Sequence, residues 1–357
     1  MRRACALLTA AATLAAATAC GTGDGRTELT FAVADQTLSA ATASYATVPE
    51  TMGYFADEGL KVEMQPVKNA VAAIQAVANE RATCTYGSTA NAVTAIGQDP
   101  GLVIVGTVNG NIFRTVAPAA SGLRTAADLA GRTVGVNVRG GINELLVTGA
   151  TRSLPRPVGA DDILAVGYGA QAAQALQRGD IDAYSGYDSS NLIVGELLGR
   201  EMVEIESRTD GLTGTSALVC RKRDVQERPE AIGGLFRAFF KGMVFSQENP
   251  RAAIEMHWEH FPASKLAGGK DTDLATATKI LAKRLEISGG PGSAGEYGLQ
   301  KDEDLQKTID TYVEYGVITD IEPEAANVRA LTDYSLVPAF NDFDPAEPLR
   351  EAREWSK

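Results

Sequence analysis

Residues 75–88 read QAVANERATCTYGS, and residues 174–187, 99 positions further on, read QALQRGDIDAYSGY. Each stretch has the pattern of a helix end, a polar turn and a short apolar strand that stops near a glycine. The predicted strands are residues 82–86 and 181–185. Chance similarity is an alternative because Ala and Gln are common in this chain, but a true repeat predicts two halves of similar structure.

Working outward from these two stretches, each half contains further short apolar segments typical of strands. They are residues 29–34, 61–64 and 103–108 in the first half, and 133–138 and 163–166 in the second. Strands that alternate with helices indicate parallel β-α-β units. A chain of 357 residues also suggests two domains, at roughly 100–200 residues each. The predicted fold class is therefore α/β, with two doubly wound lobes.

The second half continues into a strand at residues 216–220 and then a strongly amphipathic helix. Its apolar residues recur at three- and four-residue spacing, which predicts one face packed on a core: Ile232, Leu235, Phe236, Phe239, Phe240, Met243 and Val244. Arg237 and Lys241 charge the opposite face, so we interpret the segment as core packing and not as a membrane span. Residues 115–122, which contain Pro118 and Gly122, read as a connector between the halves.

The N-terminal residues have the pattern of an export signal. Arg2 and Arg3 precede an uncharged run at residues 4–19, which is shorter than the ~20 residues that a spanning helix needs. Small residues then lead into Cys20, as in the lipoprotein box of bacteria, in which the cysteine carries the lipid. We expect a signal peptide at residues 1–19, a lipid anchor on Cys20 and a tether at residues 20–28. A plain secretory signal is the alternative.

Charge excludes one class of partner. The formal net charge is −12, whereas a protein that binds the nucleic-acid backbone needs a clustered basic face. We therefore expect no nucleic-acid partner and no docking on anionic lipid through a basic patch.

Several segments in order resemble the solute receptors of ABC importers in the nitrate/sulfonate/taurine and thiamine-pyrimidine-precursor branch. The segments are GYFADEGLKVE at 53–63, SGL at 121–123, DLAGRTVGV at 128–136, GDIDA at 179–183, RPE at 228–230 and SQENPRAA at 246–253. Thr83, where an aspartate is common, and residues 33–49 depart from the family pattern, which puts the ligand in more doubt than the fold.

This resemblance implies a type II periplasmic binding protein-like fold, with two lobes that close on a ligand about a hinge. We expect lobe 1 to comprise residues 29–117 and 217–357, and lobe 2 residues 118–216, with hinge segments near 115–122 and 212–216. The expected partners are a small organic ligand, an ABC transporter permease and the membrane through the lipid anchor. We expect a monomer at the extracytoplasmic face of the cell membrane and no cofactor.

Two cysteines remain after the signal and the anchor, Cys84 and Cys220. In an oxidising compartment they can form a disulfide, and two buried thiols are the alternative. The resemblance places the strand of Cys220 beside the strand of Cys84, antiparallel to it, which makes a bond possible.

Ligands of open α/β sheets bind outside the carboxyl ends of the strands. Glycines there let backbone N–H groups approach an anionic ligand group, and the predicted helices that start at Thr89 and Ile142 favour negative charge at their N-termini. We expect Arg139 to bind the anionic group of the ligand. We expect tyrosines to face the planar part of the ligand. Asp188 is the exception, since it indicates a ring amine donor or a pair with Arg139. The candidate ligand-binding residues are Gln36, Tyr45, Gly87, Ser88, Thr89, Asn109, Arg139, Gly140, Gly141, Tyr168, Tyr187 and Asp188, with Tyr86 as a further wall residue.

Two other functions are alternatives to a transport receptor. Thiamine-pyrimidine synthases share the two-lobed fold, but they carry a cysteine cluster and a cofactor lysine that this chain lacks. His257 and His260 are spaced to lie on one helix face, yet they follow the amphipathic helix, far from the predicted strand ends, so we expect no metal site and no enzyme. A sensor that binds the solute without transporting it stays open.

Overall fold

The computed structural model describes residues 25–265, 270–319, 321–322 and 326–356. The predicted signal peptide and Cys20 lie outside this part of the chain. The first strand begins at Thr27, inside the segment predicted as a tether.

Within these described ranges, ten strands form two five-stranded sheets, one in each lobe. They are β1 (Thr27–Val33), β2 (Leu60–Pro66), β3 (Cys84–Ser88), β4 (Leu102–Gly110), β5 (Phe113–Pro118), β6 (Val134–Val136), β7 (Ile163–Ala165), β8 (Ala183–Tyr187), β9 (Met202–Glu204) and β10 (Thr213–Arg221). The first sheet has the order β2-β1-β3-β10-β4, and the second has the order β7-β6-β8-β5-β9.

The two sheets are built on the same plan. Three parallel strands occupy one side of each sheet, β2-β1-β3 in the first and β7-β6-β8 in the second. An antiparallel strand from the crossing segments then joins each of them, β10 beside β3 and β5 beside β8. The predicted α/β fold with two doubly wound lobes is confirmed.

Sixteen α-helices in the described residues cover the sheets. They are α1 (Ala43–Ala46), α2 (Val48–Thr51), α3 (Tyr54–Asp57), α4 (Ala70–Ala78), α5 (Thr89–Gln98), α6 (Ile142–Thr151), α7 (Ala170–Arg178), α8 (Asp188–Leu198), α9 (Lys222–Glu227), α10 (Pro229–Glu248), α11 (Pro250–His260), α12 (Lys270–Ser288), α13 (Asp302–Glu314), α14 (Val328–Leu331), α15 (Val337–Phe340) and α16 (Ala346–Glu354).

Helix α10 is the amphipathic helix that the apolar spacing predicted. All seven of its predicted core residues are buried, and all of them except Val244 pack in one core cluster of the first lobe. Burying one such side chain contributes roughly 1.5–3 kcal/mol, so this face is a large part of what holds the lobe together. In the described part of the chain, no helix is both long and apolar enough to cross a bilayer.

The segment predicted as a connector, residues 115–122, begins as a strand. Strand β5 pairs with both β8 and β9, because Val116 and Ala117 are buried apolar residues and Pro118 falls at the strand end, where a missing N–H is tolerated. The chain therefore crosses to the second sheet between Gly110 and Phe113 and returns between Glu204 and Thr213. The lobe boundaries at 117/118 and 216/217 stay a prediction, and both crossings between the sheets lie a few residues before them.

Strand β10 carries Cys220 opposite Cys84 of β3 in the antiparallel register. The structure joins the two residues by a disulfide, with Cα atoms 4.3 Å apart. Both residues are fully buried. The bond ties the returning strand to the strand that ends at Gly87.

Candidate functional site

The loop after β1, in which Gln36 is exposed, is held by one carboxylate. Asp35 accepts hydrogen bonds from the backbone N–H and hydroxyl of both Thr37 and Ser39, at 2.6–3.0 Å. Burial by itself would raise the pKa of Asp35, but these donors outweigh it and hold that pKa below its usual value. The loop that fits the family pattern poorly is thus internally bonded.

A buried histidine of α11 also holds this loop in place through hydrogen bonds. The Nε2 atom of His257 lies 2.6 Å from the carbonyl oxygen of Leu38, and its Nδ1 atom lies 2.7 Å from the hydroxyl of Thr47. Nε2 must therefore carry a proton, because a carbonyl only accepts, and the Thr47 hydroxyl can donate to Nδ1 of the neutral ring. Burial lowers the pKa of His257 accordingly. His257, one of the two histidines considered above for a metal site, therefore has a structural role in this loop.

Tyr45 lies in α1, which follows this loop, and packs in the core of the first lobe. Its ring stacks on Phe239 of α10 at 5.1 Å between centroids and meets Tyr86 edge-on at 5.2 Å. Both tyrosines are 7% exposed, so they present only an edge to the cleft. Burial raises the pKa of Tyr45, and the positive charge of Arg284 opposes that rise.

Helix α5 starts at Thr89, as predicted, directly after the turn that follows β3. Gly87 lies against Ala70, and an added Cβ would stand 3.5 Å from that side chain. The Thr89 hydroxyl donates to the carbonyl of Gly214 on β10 at 2.6 Å and is fully buried. Thr89 therefore supports the returning strand, while Ser88 is half-exposed at the lobe edge. Asn109 lies near the end of β4.

The second lobe offers a polar and aromatic wall at the ends of its parallel strands. The rings of Tyr168 and Tyr187 stack at 6.3 Å. The Asn137 side-chain amide donates to the Tyr168 hydroxyl at 2.7 Å and to the Tyr187 hydroxyl at 3.4 Å. The Asn143 amide donates in turn to the Asn137 oxygen at 3.1 Å. Tyr168 keeps 54% of its surface exposed, so a ring face is available to a bound molecule.

Arg139, the residue expected to bind an anionic head, is engaged elsewhere. Its Nη1 atom donates to the carbonyls of Ala160 and Ile163 at 3.0 and 2.7 Å, and its Nε atom lies 3.3 Å from Glu144. Gly140, whose φ of +71° lets the chain turn, donates its N–H to the same Glu144 carboxylate. Gly141 precedes α6, which starts at Ile142 as predicted. The turn thus satisfies its own groups within the second lobe.

Asp188 pairs with Arg284 of α12 and not with Arg139. The guanidinium meets the carboxylate through two bonds, Nε to Oδ2 at 2.7 Å and Nη2 to Oδ1 at 2.6 Å. The Asp188 side chain is 0% exposed and that of Arg284 is 17% exposed. Burial alone would lower the pKa of Arg284, but the Asp188 charge outweighs burial and raises it. Sequence reasoning missed Arg284, which joins the two lobes through this pair.

A signal for Arg284 was present in the helical spacing. Ala277, Leu281, Arg284 and Ser288 follow each other at i, i+4, i+7 and i+11, and the other three are buried. A cation on a buried helix stripe needs a buried partner. Because the partner comes from the other lobe, the spacing alone does not identify it.

Further contacts join the lobes on both sides of this pair. From α12, Lys279 meets Glu196 at 2.6 Å and Lys283 meets Glu204 at 3.7 Å. On the other side, the Arg152 guanidinium donates to the Glu314 carbonyl at 2.7 Å. The structure therefore holds the lobes in contact, with Arg284 and Asp188 between them.

The candidate site is consequently assembled from both lobes. The first lobe contributes Tyr45, Tyr86 and Arg284, and the second contributes Asp188 and the wall of Asn137, Tyr168 and Tyr187. Of the residues predicted from sequence, Asp188 bonds to Arg284 and Tyr187 precedes Asp188 in the chain, whereas Arg139 and Thr89 bond to groups of their own lobes. No group of three or more His, Cys, Asp or Glu suited to a metal ion occurs among the described residues.

Comparison with solved structures places this architecture among known folds. The chain is similar to a protein of Bordetella bronchiseptica RB50, with 20% identity and a TM-score of 0.62 over 88% of this chain and 97% of that one. It is also similar to the periplasmic aliphatic sulphonate binding protein SsuA from Escherichia coli, with 16% identity and a TM-score of 0.62 over 86% and 92%. The desulfurization enzyme DSZB matches at 13% identity and a TM-score of 0.54 over 87% and 98%.

No match is found among curated proteins at the level of sequence. A family model described as NMT1/THI5 like matches residues 44–253, which is more than half of the 357 residues. The matched range begins within α1, which carries Tyr45, includes the complete second sheet, and runs through α10. The chain belongs to the NMT1/THI5-like family.

Proposed function

We propose that the protein is an extracytoplasmic solute-binding lipoprotein of an ABC importer, which captures a small organic ligand between its two lobes. One observation carries this proposal. A buried arginine–aspartate pair joins the two lobes at the carboxyl end of the parallel strand β8, directly after Tyr187. Ligand sites of open α/β sheets lie at such strand ends. The family membership and the fold shared with a sulphonate-binding receptor support the same function.

The candidate residues divide by chemistry into two kinds. Arg284 and Asp188 supply opposite charges, and the arginine's planar fork is suited to a carboxylate or sulfonate. Asn137 and the tyrosine hydroxyls supply uncharged hydrogen bonds. The exposed face of Tyr168 supplies a flat apolar surface on which a planar or short ligand body can lie.

Membrane attachment through Cys20 completes the proposal. A receptor that is tethered next to its permease delivers the ligand without diffusing away. The net charge of −12 disfavours membrane docking through a basic patch, so we propose attachment through the lipid on Cys20. The pattern of charged, apolar and small residues ending at Cys20 supports the anchor. The permease partner and the monomeric state follow from the family resemblance.

The shared fold of the desulfurization enzyme makes an explicit test against catalysis necessary. Purified protein is screened by thermal shift against sulfonates, nitrate, pyrimidines and small aromatic acids. A ligand present at about 100 times its dissociation constant adds about 2.7 kcal/mol to stability. Any ligand found is then incubated with the protein and analysed by mass spectrometry. Recovery of unchanged ligand supports a receptor, whereas a chemically altered product would show an enzyme.

Lobe closure supplies the second test. A ligand that binds only the closed state shifts the equilibrium toward that state, so small-angle scattering should show a smaller radius of gyration, or a narrower distribution of dimensions, on saturation. If the ligand-saturated protein scatters as the unliganded protein does, with the same radius of gyration, the proposal of a hinged receptor is contradicted.

A further inference from the structure

We propose that Asn143, a fully buried residue of α6, positions the wall of the second lobe for ligand recognition. In this inference, which rests on the proposed receptor function, Asn143 fixes the side-chain amide of Asn137. That amide in turn makes the hydroxyls of Tyr168 and Tyr187 hydrogen-bond donors toward a bound molecule. Asn143 is a positioning residue, because its side chain is too deeply buried to touch the ligand itself.

The orientation of the Asn137 amide follows from the donors around it. Its Oδ1 atom accepts from Asn143 Nδ2 and from the backbone N–H of Val138, each at 3.1 Å. If the amide were turned over, its NH2 group would face the Val138 N–H, donor against donor, whichever way Asn143 points. The Nδ2 atom is therefore the end that meets the tyrosines, 2.7 Å from the Tyr168 hydroxyl oxygen and 3.4 Å from that of Tyr187.

The bond from Asn143 is the one that reaches Asn137 from another element. Val138 follows Asn137 directly in the chain and moves with it, whereas Asn143 is anchored in α6. The backbone carbonyl of Asn143 also accepts from the Ser185 hydroxyl of β8 at 3.2 Å, and β8 ends at Tyr187. Asn143 thus ties the turn that follows β6 to a helix and to the strand that carries one of the two tyrosines.

The amide of Asn143 is not explained by stability. Its Oδ1 atom is buried and has no hydrogen-bond partner in the described part of the chain. A buried polar atom without a partner costs free energy, and the single bond through Nδ2 offsets that cost only in part. A leucine of similar size would avoid the cost. The amide at this position therefore indicates a requirement of the wall and not of the core.

The direction of the amide bonds determines what the tyrosines can offer. A phenol oxygen that accepts from an amide keeps its own O–H to donate. Burial raises the pKa of Tyr187, and the neighbouring Tyr168 adds to the rise, so this phenol keeps its proton at neutral pH. If one hydroxyl donates to the other, one O–H still remains for a ligand.

The exposure of Tyr168 determines where this donor is available. Tyr168 keeps 54% of its surface exposed, and its ring lies nearly parallel to that of Tyr187, with 12° between the planes. The wall thus offers a hydrogen-bond donor at the edge of an aromatic face. It favours a planar molecule with an acceptor in its ring over one of the same shape without it.

The first measurement uses full-length mature protein and needs no ligand. The Fermi doublet of tyrosine in the Raman spectrum reports whether a phenol oxygen accepts a hydrogen bond, and subtraction of the Tyr168→Phe spectrum isolates the Tyr168 signal. In the wild type this oxygen should be an acceptor. Asn137→Leu should remove the accepted bond, which establishes the sensitivity of the measurement. Asn143→Leu should shift the signal in the same direction, because methyl groups then face the Asn137 oxygen and the amide rotates.

Binding probes test the selection that the wall makes. Isothermal titration compares pyridine-3-carboxylate with benzoate, which has the same shape and charge and lacks the ring acceptor. The wild type should bind pyridine-3-carboxylate about three- to tenfold more tightly, as expected of one added hydrogen bond. Asn143→Leu should remove this preference and leave the affinity for benzoate unchanged.

Asn191→Leu is the matched control. Asn191 is also a buried amide of the second lobe with an unpartnered Oδ1 atom, but its Nδ2 atom donates to the Arg114 carbonyl at 3.0 Å. This variant should leave the Tyr168 signal and the preference unchanged. Asn143→Leu should not lower the midpoint of thermal unfolding by more than the control does. If Asn143→Leu does not fold, Asn143→Ala, which removes the same donor, takes its place.

The possible failures separate the positioning role from the receptor function. An unchanged Tyr168 signal in Asn143→Leu overturns the positioning role, and so does a wild-type signal without an accepted bond. Equal affinity of the wild type for the two probes refutes the preference for a ring acceptor. If neither probe binds, that preference is refuted as well, the Raman result alone decides the positioning role, and the broader solute screen decides the receptor function.

Discussion

Substitution of Gly149 by alanine should separate the stability of the second lobe from closure of the cleft. Gly149 lies in α6 and faces Tyr315, which follows α13 of the first lobe. A Cβ added at Gly149 would stand 2.3–2.6 Å from three atoms of Tyr315, the Cγ, Cδ2 and Cβ atoms. Contacts this short cannot persist, so one of the two helices must shift or the lobes must part.

Two effects of opposite sign follow from this geometry. Within α6, alanine is favoured over glycine by about 1 kcal/mol, so the second lobe itself should not lose stability. Between the lobes, overpacking should disfavour the closed contact by about 1–3 kcal/mol. Since each 1.4 kcal/mol is a factor of ten in affinity, a ligand that requires closure should bind roughly 5- to 150-fold more weakly.

Titration calorimetry with a ligand from the screen measures the affinity, and small-angle scattering measures the separation of the lobes. Gly97→Ala is the matched control, because Gly97 is also helical and its added Cβ would meet Ile321 at an ordinary 3.6 Å. Tyr315→Ala in the Gly149→Ala background should restore closure. An affinity and a scattering profile both equal to those of the wild type would refute the reasoning that this contact belongs to the closed cleft.

Three further predictions concern the anchor, the disulfide and the buried histidine. Cys20→Ala should leave the protein without acyl mass at its mature N-terminus, and cleavage of the wild type at another residue would contradict the anchor. Thiol labelling of unfolded, unreduced protein should find Cys84 and Cys220 blocked; because the bond spans 136 residues, its loss in the Cys84→Ala, Cys220→Ala double variant should lower the free energy of unfolding by about 2–5 kcal/mol. Burial lowers the pKa of His257 in the folded protein. Just below the unfolded pKa of about 6.5, the His257 ring therefore binds a proton in the unfolded chain but not in the folded one. The free energy of unfolding should consequently fall as pH drops through that window, by at most about 1.4 kcal/mol per pH unit. Chemical denaturation of the wild type and of His257→Gln checks this, and an equal slope in both would exclude His257 as the cause.

The architecture of this chain was predictable because its signals are local. The spacing of Phe236, Phe239, Phe240 and Met243 predicts the helix α10. The starts of α5 and α6 follow from the glycine-containing turns that precede them. The β5 strand was not predictable in the same way. Its sequence is short and ends in Pro118, and only the neighbours β8 and β9 make it a strand.

The site was less predictable because its decisive interaction spans 96 residues of sequence and two lobes. Sequence position selected Arg139, which follows a strand end and is 46% exposed. Its guanidinium is satisfied by nearby carbonyls, since an arginine in a turn finds backbone acceptors close at hand. Asp188 was identified as the residue that did not suit a pure anion site, and that inconsistency was the useful sign.

A fully buried carboxylate cannot remain without a partner of opposite charge, so Asp188 by itself required a cation that the nearby sequence did not supply. The structure supplies Arg284 from α12, a helix of the other lobe. Removal of either partner leaves the other charge buried and unpaired, which strongly destabilises the contact between the lobes. One unexplained acid therefore leads to the missing arginine, and through it to the contact that holds the two lobes together.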